Sequence, residues 1–70
     1  MLKTVELLEA SPNGHTTEGS VTIFVSTISR IKPCAWSEDY TTIYFTHENS
    51  MMTVRGDYRR VRDLINAAAQ

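Results

Sequence analysis

Few side chains in this sequence are spaced for covalent chemistry. Cys34 is the only cysteine, and with His15 and His47 it supplies three potential ligands on separate segments. Such a set closes a tetrahedral zinc site only with the help of carboxylates. Nothing in the spacing pairs Cys34 with either histidine as an activated nucleophile. Asp57 and Asp63 lie on one helical pattern at a separation that keeps their carboxyl groups from converging for acid–base work. The chain contains no glycine-rich phosphate loop, no G-x-S-x-G, no H-E-x-x-H and no C-x-x-C. The expectation is no enzyme, no catalytic residue, no metal and no cofactor, with His15 and His47 as solvated loop histidines.

Recognition chemistry is better represented. Residues 55–70 hold Arg55, Arg59, Arg60 and Arg62 against Asp57 and Asp63, a local balance of +2, while residues 1–54 carry a balance of −3. Planar guanidinium forks suit phosphates and carboxylates alike, which makes these four arginines the candidate partner-binding residues. The plainer reading is a solvated helix face, with Arg59 and Asp63 forming an i,i+4 pair worth only about 0.3–0.5 kcal/mol. The aromatic residues pose the same choice. Trp36, Tyr40 and Tyr44, with Arg30, Lys32 and Arg55, form a stacking platform for single-stranded nucleic acid in one reading, and core or interface anchors in the other.

The elements that must position these groups follow from periodicity. Met1 to Ala10 fits both a strand, through alternating Val5 and Leu7, and a short helix, through Leu2, Val5 and Leu8; strand is preferred. Ser11-Pro12-Asn13-Gly14-His15 is a strong turn signal, and residues 11–20 as a whole read as a flexible loop or long hairpin. Val21 to Val25 reads as a strand with Val21, Ile23 and Val25 on one face. Ile28 and Ile31, three apart, fit a turn or bulge entering the next strand, and Pro33 marks an edge or an end. Tyr40 to Thr46 and Met51 to Arg55 form a β-hairpin across His47-Glu48-Asn49-Ser50. Asp57 is placed to cap a helix on which Tyr58, Val61, Leu64, Ile65 and Ala68 share an apolar arc, with Leu64 and Ile65 as its anchors. Together these predict an α+β fold: a small antiparallel sheet of four or five strands with one C-terminal amphipathic helix packed on one face.

The stretch IFVSTISRIKPCAWSEDYTTIYFTHENSMMTVRGDYRRVRDLI, from Ile23 to Ile65, carries a short strand, an I-x-x-I step, a hairpin with a polar tip and a helix bearing Val61, Leu64 and Ile65. This layout resembles small bacterial proteins of the flagellar FlbD type and the C-terminal half of LytTR-type DNA-binding domains, over a little more than half of the chain. The first resemblance implies a small motility-related protein without catalytic residues, the second DNA contact through loops. The chain departs from both in its Cys34-Ala35-Trp36 segment and in having Asn49 where a hairpin-tip glycine is expected, and no functional residue carries across. The order of strands then helix is also similar to the carbon storage regulator family of RNA binders, without that family's glycine-punctuated strands.

Bulk properties bound what these groups can do. Seventy residues and 7.9 kDa fit one domain, 1–70, which must rely on good packing or on a partner because a lone cysteine makes no internal disulfide. A net charge of −1 argues against a dedicated polyphosphate footprint. The apolar runs are far shorter than the roughly 20 residues of a membrane span, and no leader pattern opens the chain, so the expectation is a cytoplasmic protein without membrane contact. Tyr44 and Phe45 are adjacent and point to opposite sheet faces; one helix covers only one face, so Tyr44, Phe45, Met51 and Met52 become candidates for self-association. The sequence thus favours a non-enzymatic protein-binding or assembly module of bacterial or phage type, a homo-oligomer with an unknown protein partner. The alternative is a nucleic-acid-binding regulator that uses the arginine-rich helix.

Overall fold

Alternation wins over helical spacing in the first segment. Val5 and Leu7 are buried while Thr4, Glu6 and Leu8 face outward, which makes Thr4–Ala10 a strand, β1. The structure, a computed structural model, describes residues 2–10, 17–47 and 50–70. After β1 come β2 (Thr17–Phe24), a 3-10 turn (Val25–Thr27), β3 (Ile28–Pro33), β4 (Tyr40–Phe45), β5 (Met51–Arg55) and one helix, α1 (Tyr58–Ala69). The strands form a single antiparallel sheet in the order β2-β1-β5-β4-β3.

That order dictates a curled sheet. Its two outer strands, β2 and β3, follow one another in the chain and are joined only by the 3-10 turn. Five strands laid flat would hold their outer members about 19 Å apart, whereas the chain from Phe24 to Ile28 spans at most about 14 Å even when fully extended. The sheet therefore bends until its edges approach each other. Backbone bonds hold the turn to both hairpins: the Val25 amide donates to the Lys3 carbonyl at 2.9 Å, and the Thr46 amide to the Thr27 carbonyl at 2.9 Å.

Curling encloses one face of every strand. Val5, Leu7, Ile23, Ile43 and Val54 meet there with Val61 of α1, and Ile28, Ile31, Phe45, Met52 and Ile65 pack around them. Two register shifts serve this core. Between Ile28 and Arg30 the ladder gains a residue on β3, so both isoleucines face inward and Arg30 faces out, the bulge that their spacing suggested. Between Glu9 and Ala10 the shift brings Ala10 to 4% exposure, with Gly19 at φ +117° on the opposing strand.

Several expectations are corrected. The loop predicted over 11–20 is already strand from Thr17, because β1 continues to pair through Ala10 and carries its partner with it; residues 11–16, with the predicted turn and His15, lie outside the described residues, as do Glu48 and Asn49. β2 ends at Phe24 and Val25 opens the 3-10 turn, although Val25 still packs against the core with Val21 and Ile23. The helix is anchored by Val61, wholly buried, whereas Leu64 is 39% exposed. The stripe that meets the sheet runs through Val61, Ile65 and Ala68, and Leu64 lies about 70° from its centre. The Arg59–Asp63 pair gives way to one between neighbours, Arg62 and Asp63, at 3.2 Å.

Candidate binding face

The outward positions of β3, β4 and β5 fall on one surface because side chains alternate and the ladder fixes their register. Arg30 pairs with Tyr44 and Lys32 with Thr42 across β3 and β4. Tyr40, Thr42 and Tyr44 pair with Arg55, Thr53 and Met51 across β4 and β5. Two threonines thus lie side by side at the middle of the face, with a tyrosine on either side along β4 and cations on both flanking strands. Tyr40 and Tyr44, four residues apart on one strand, are separated by about 13 Å.

Each ring has a defined setting. The Arg30 guanidinium carbon lies 4.5 Å from the centroid of the Tyr44 ring and the Lys32 ammonium 5.9 Å from it, contacts worth about 0.5–1 kcal/mol at an exposed site. Trp36 leans on Tyr40 with ring centroids 4.9 Å apart and a 46° tilt. The turn that carries the tryptophan is held at its ends, where the Cys34 amide donates to the Tyr40 carbonyl at 3.1 Å and the Asp39 amide to the Ser37 hydroxyl at 3.1 Å. Trp36 is nevertheless 49% exposed and Met51, beside Tyr44, 63%. Arg30, Lys32 and Arg55 are exposed and make no ion pair among the described residues. Glu38 and Asp39, at the turn beside Tyr40, are the acidic groups nearest in sequence to these rings.

Beyond β5 the surface opens into a groove of about 640 Å³. β1 and β5 pair at one described position only, Glu9 with Val54, and the first turns of α1 border the groove beside them. Glu6 and Leu8 of β1, Tyr40 and Arg55, and Asp57, Arg60 and Leu64 line it. The junction is rigid. Asp57 caps α1 by accepting the Arg60 amide at 2.7 Å, and the Gly56 amide donates to the Asp39 carbonyl at 2.8 Å. The buried Thr41 hydroxyl donates to the Gly56 carbonyl at 2.8 Å. Gly56 adopts φ +123°, and a Cβ there would lie 3.1 Å from Val61 Cγ2.

The sequence-predicted residues are redistributed by this geometry. Of the four arginines, Arg55 joins the sheet face and Arg60 the groove. Arg62 borders a smaller hollow between β3 and α1 together with Arg30, while Arg59 is exposed on α1. Of the four residues assigned to self-association, Tyr44 and Met51 lie on the outer face, whereas Phe45 and Met52 turn into the core. Cys34 is buried and His47 is an exposed residue with its ring 6.4 Å from Phe45. Among the described residues no cluster of three or more His, Cys, Asp or Glu could hold a metal, and no helix is long and apolar enough to cross a membrane. The groove residues Glu6, Leu8 and Leu64 were not foreseen, since which outward positions of β1 and α1 meet around one groove is a long-range property with no local signal in either element. Comparison with family models, with curated proteins and with solved structures finds no match.

Proposed function

We propose that this chain is a non-enzymatic binding module whose recognition surface is the outer face of β3, β4 and β5, and that its partner is flat and anionic. One observation carries this reading: Trp36, Tyr40 and Tyr44 share a face with Arg30, Lys32 and Arg55, with threonines between them. Arg30 and Lys32 sit on an edge strand, where charge also discourages strand-to-strand aggregation. That accounts for the cations and leaves the exposed Trp36 and the half-buried Tyr40 and Tyr44 beside them unexplained. A second copy of the chain is a poorer occupant, because a two-fold contact gathers two sets of Arg30, Lys32 and Arg55 into one interface with no acidic residue on these outer strand positions to offset them. The test is elution of the chain from immobilised heparin, a polyanion. Neutralising two charges of the face, Lys32→Gln with Arg55→Gln, should lower the eluting salt concentration more than the charge-matched Arg59→Gln with Arg62→Gln does. The opposite ranking would move the site to the helix.

A further inference from the structure

Resting on that reading, we infer that the partner of this face is single-stranded nucleic acid, with bases stacked on its aromatic side chains and phosphates held by Arg30, Lys32 and Arg55.

The argument starts from what the rings add. An acidic polypeptide needs only cations, and a duplex offers phosphates but keeps its bases paired and stacked internally. Only an unpaired strand presents π-faces and phosphates together, and this surface sets cations directly beside its rings, Arg30 across from Tyr44 and Arg55 across from Tyr40. Tyr44 with Arg30 over its ring at 4.5 Å forms one stacking element, since guanidinium groups stack on bases as aromatic rings do. Trp36 against Tyr40 at 4.9 Å forms the second. Lys32 and Arg55 stand on the two strands that flank β4, opposite Thr42 and Tyr40, where they can follow a backbone running along β4. The Thr42 hydroxyl between the two tyrosines, and that of Thr53 beside it on β5, offer sequence-independent hydrogen bonds. A chain with net charge −1 exerts no general pull on polyanions, so attraction depends on local clusters of cations, of which this face, unlike the arginines of α1, is the one that also carries aromatic rings.

The chemistry sets the size of each effect. Lys32 and Arg55 on two phosphates of a single strand, with the stacked Arg30 reaching a third through its outer edge, give a slope of log K against log salt of about −1.4 to −2. Loss of one stacking ring weakens binding roughly 5- to 150-fold.

The experiment uses the full chain and labelled ten-nucleotide oligothymidylate and oligouridylate, followed by fluorescence anisotropy across a KCl series and by quenching of the lone tryptophan, Trp36. The expected result is binding with the stated slope, quenching of Trp36, and clear weakening in both Tyr44→Ala and Trp36→Leu. Circular dichroism checks the fold of each variant, and Trp36→Leu alters a half-exposed side chain outside the core, so one informative variant remains if Tyr44→Ala unfolds. Binding of neither oligonucleotide overturns the inference, as does equal affinity for a duplex of the same length, or unchanged affinity in a folded Trp36→Leu. Heparin, which has no bases, separates the two levels of the argument. If heparin binds through Lys32 and Arg55 while both oligonucleotides fail, the anionic recognition face stands and the nucleic-acid assignment falls. If heparin fails as well, both fall.

Discussion

Replacing Gly56 with alanine loads the joint between sheet and helix at its tightest point. The residue holds φ +123°, a conformation that costs a side-chain-bearing residue about 1–3 kcal/mol. The added Cβ would also stand 3.1 Å from Val61 Cγ2, and Val61 cannot withdraw because it is wholly buried. Val61→Ala alone removes two buried methyl groups and leaves a cavity, a loss of about 2–3 kcal/mol. The two changes should not add. With Val61 Cγ2 gone, the new methyl meets space, so Gly56→Ala costs only its backbone strain and the pair shows a favourable coupling of about 0.5–1 kcal/mol. Urea unfolding followed by circular dichroism measures all four corners of this cycle, with the same sucrose concentration in each sample to keep the weakest variant folded. Additivity within about 0.3 kcal/mol, or a Gly56→Ala variant as stable as the parent, would refute the reasoning.

The same packing ranks other substitutions. Leu64→Ala should cost about 1 kcal/mol or less, given its 39% exposure, and so clearly less than Val61→Ala; a urea series that reverses the order would show that the helix is turned differently on the sheet. Thr41→Val keeps the shape of a buried side chain but removes the donor to the Gly56 carbonyl, for a loss of about 1–3 kcal/mol, readable as a drop in urea midpoint at constant m-value. The Lys3 ammonium donates to the Ala69 carbonyl at the C-terminal end of α1, so Lys3→Met should lower stability by a few tenths of a kcal/mol at low ionic strength. Thermal melts at low and high KCl would check this, and a loss that does not shrink with salt would contradict it.

Much of this architecture is written in short-range signals. The Tyr40–Phe45 and Met51–Arg55 strands alternate cleanly, Asp57 stands where a cap is needed, and the three-residue step from Ile28 to Ile31 marks a bulge. Those features depend on neighbours within a few residues, and the structure bears them out. The curl of the sheet depends instead on which strands become its edges, a long-range property with no local trace. In a flat sheet Phe45 and Met52 look as exposed as Tyr44 and Met51; in the curled one they pack against the core. Leu64 misled for a related reason, since its place on an apolar arc is local but the part of the arc that meets the sheet is set by tertiary packing. The ring-and-cation set was readable as residue types, yet only the register of β3, β4 and β5 shows that those of the strands share a face.

The central claim concerns where an anionic partner touches the molecule, and an amide and indole chemical-shift map tests it most directly. Isotope-labelled protein titrated with a short heparin fragment should show its largest changes at Arg30, Lys32, Thr42, Tyr44, Thr53 and Arg55 and at the Trp36 indole, with α1 and the outer positions of β2 little affected. Changes concentrated on Arg59 and Asn66 of α1, or on Thr22 and Phe24 of β2, with the β3–β5 face unmoved, would contradict it.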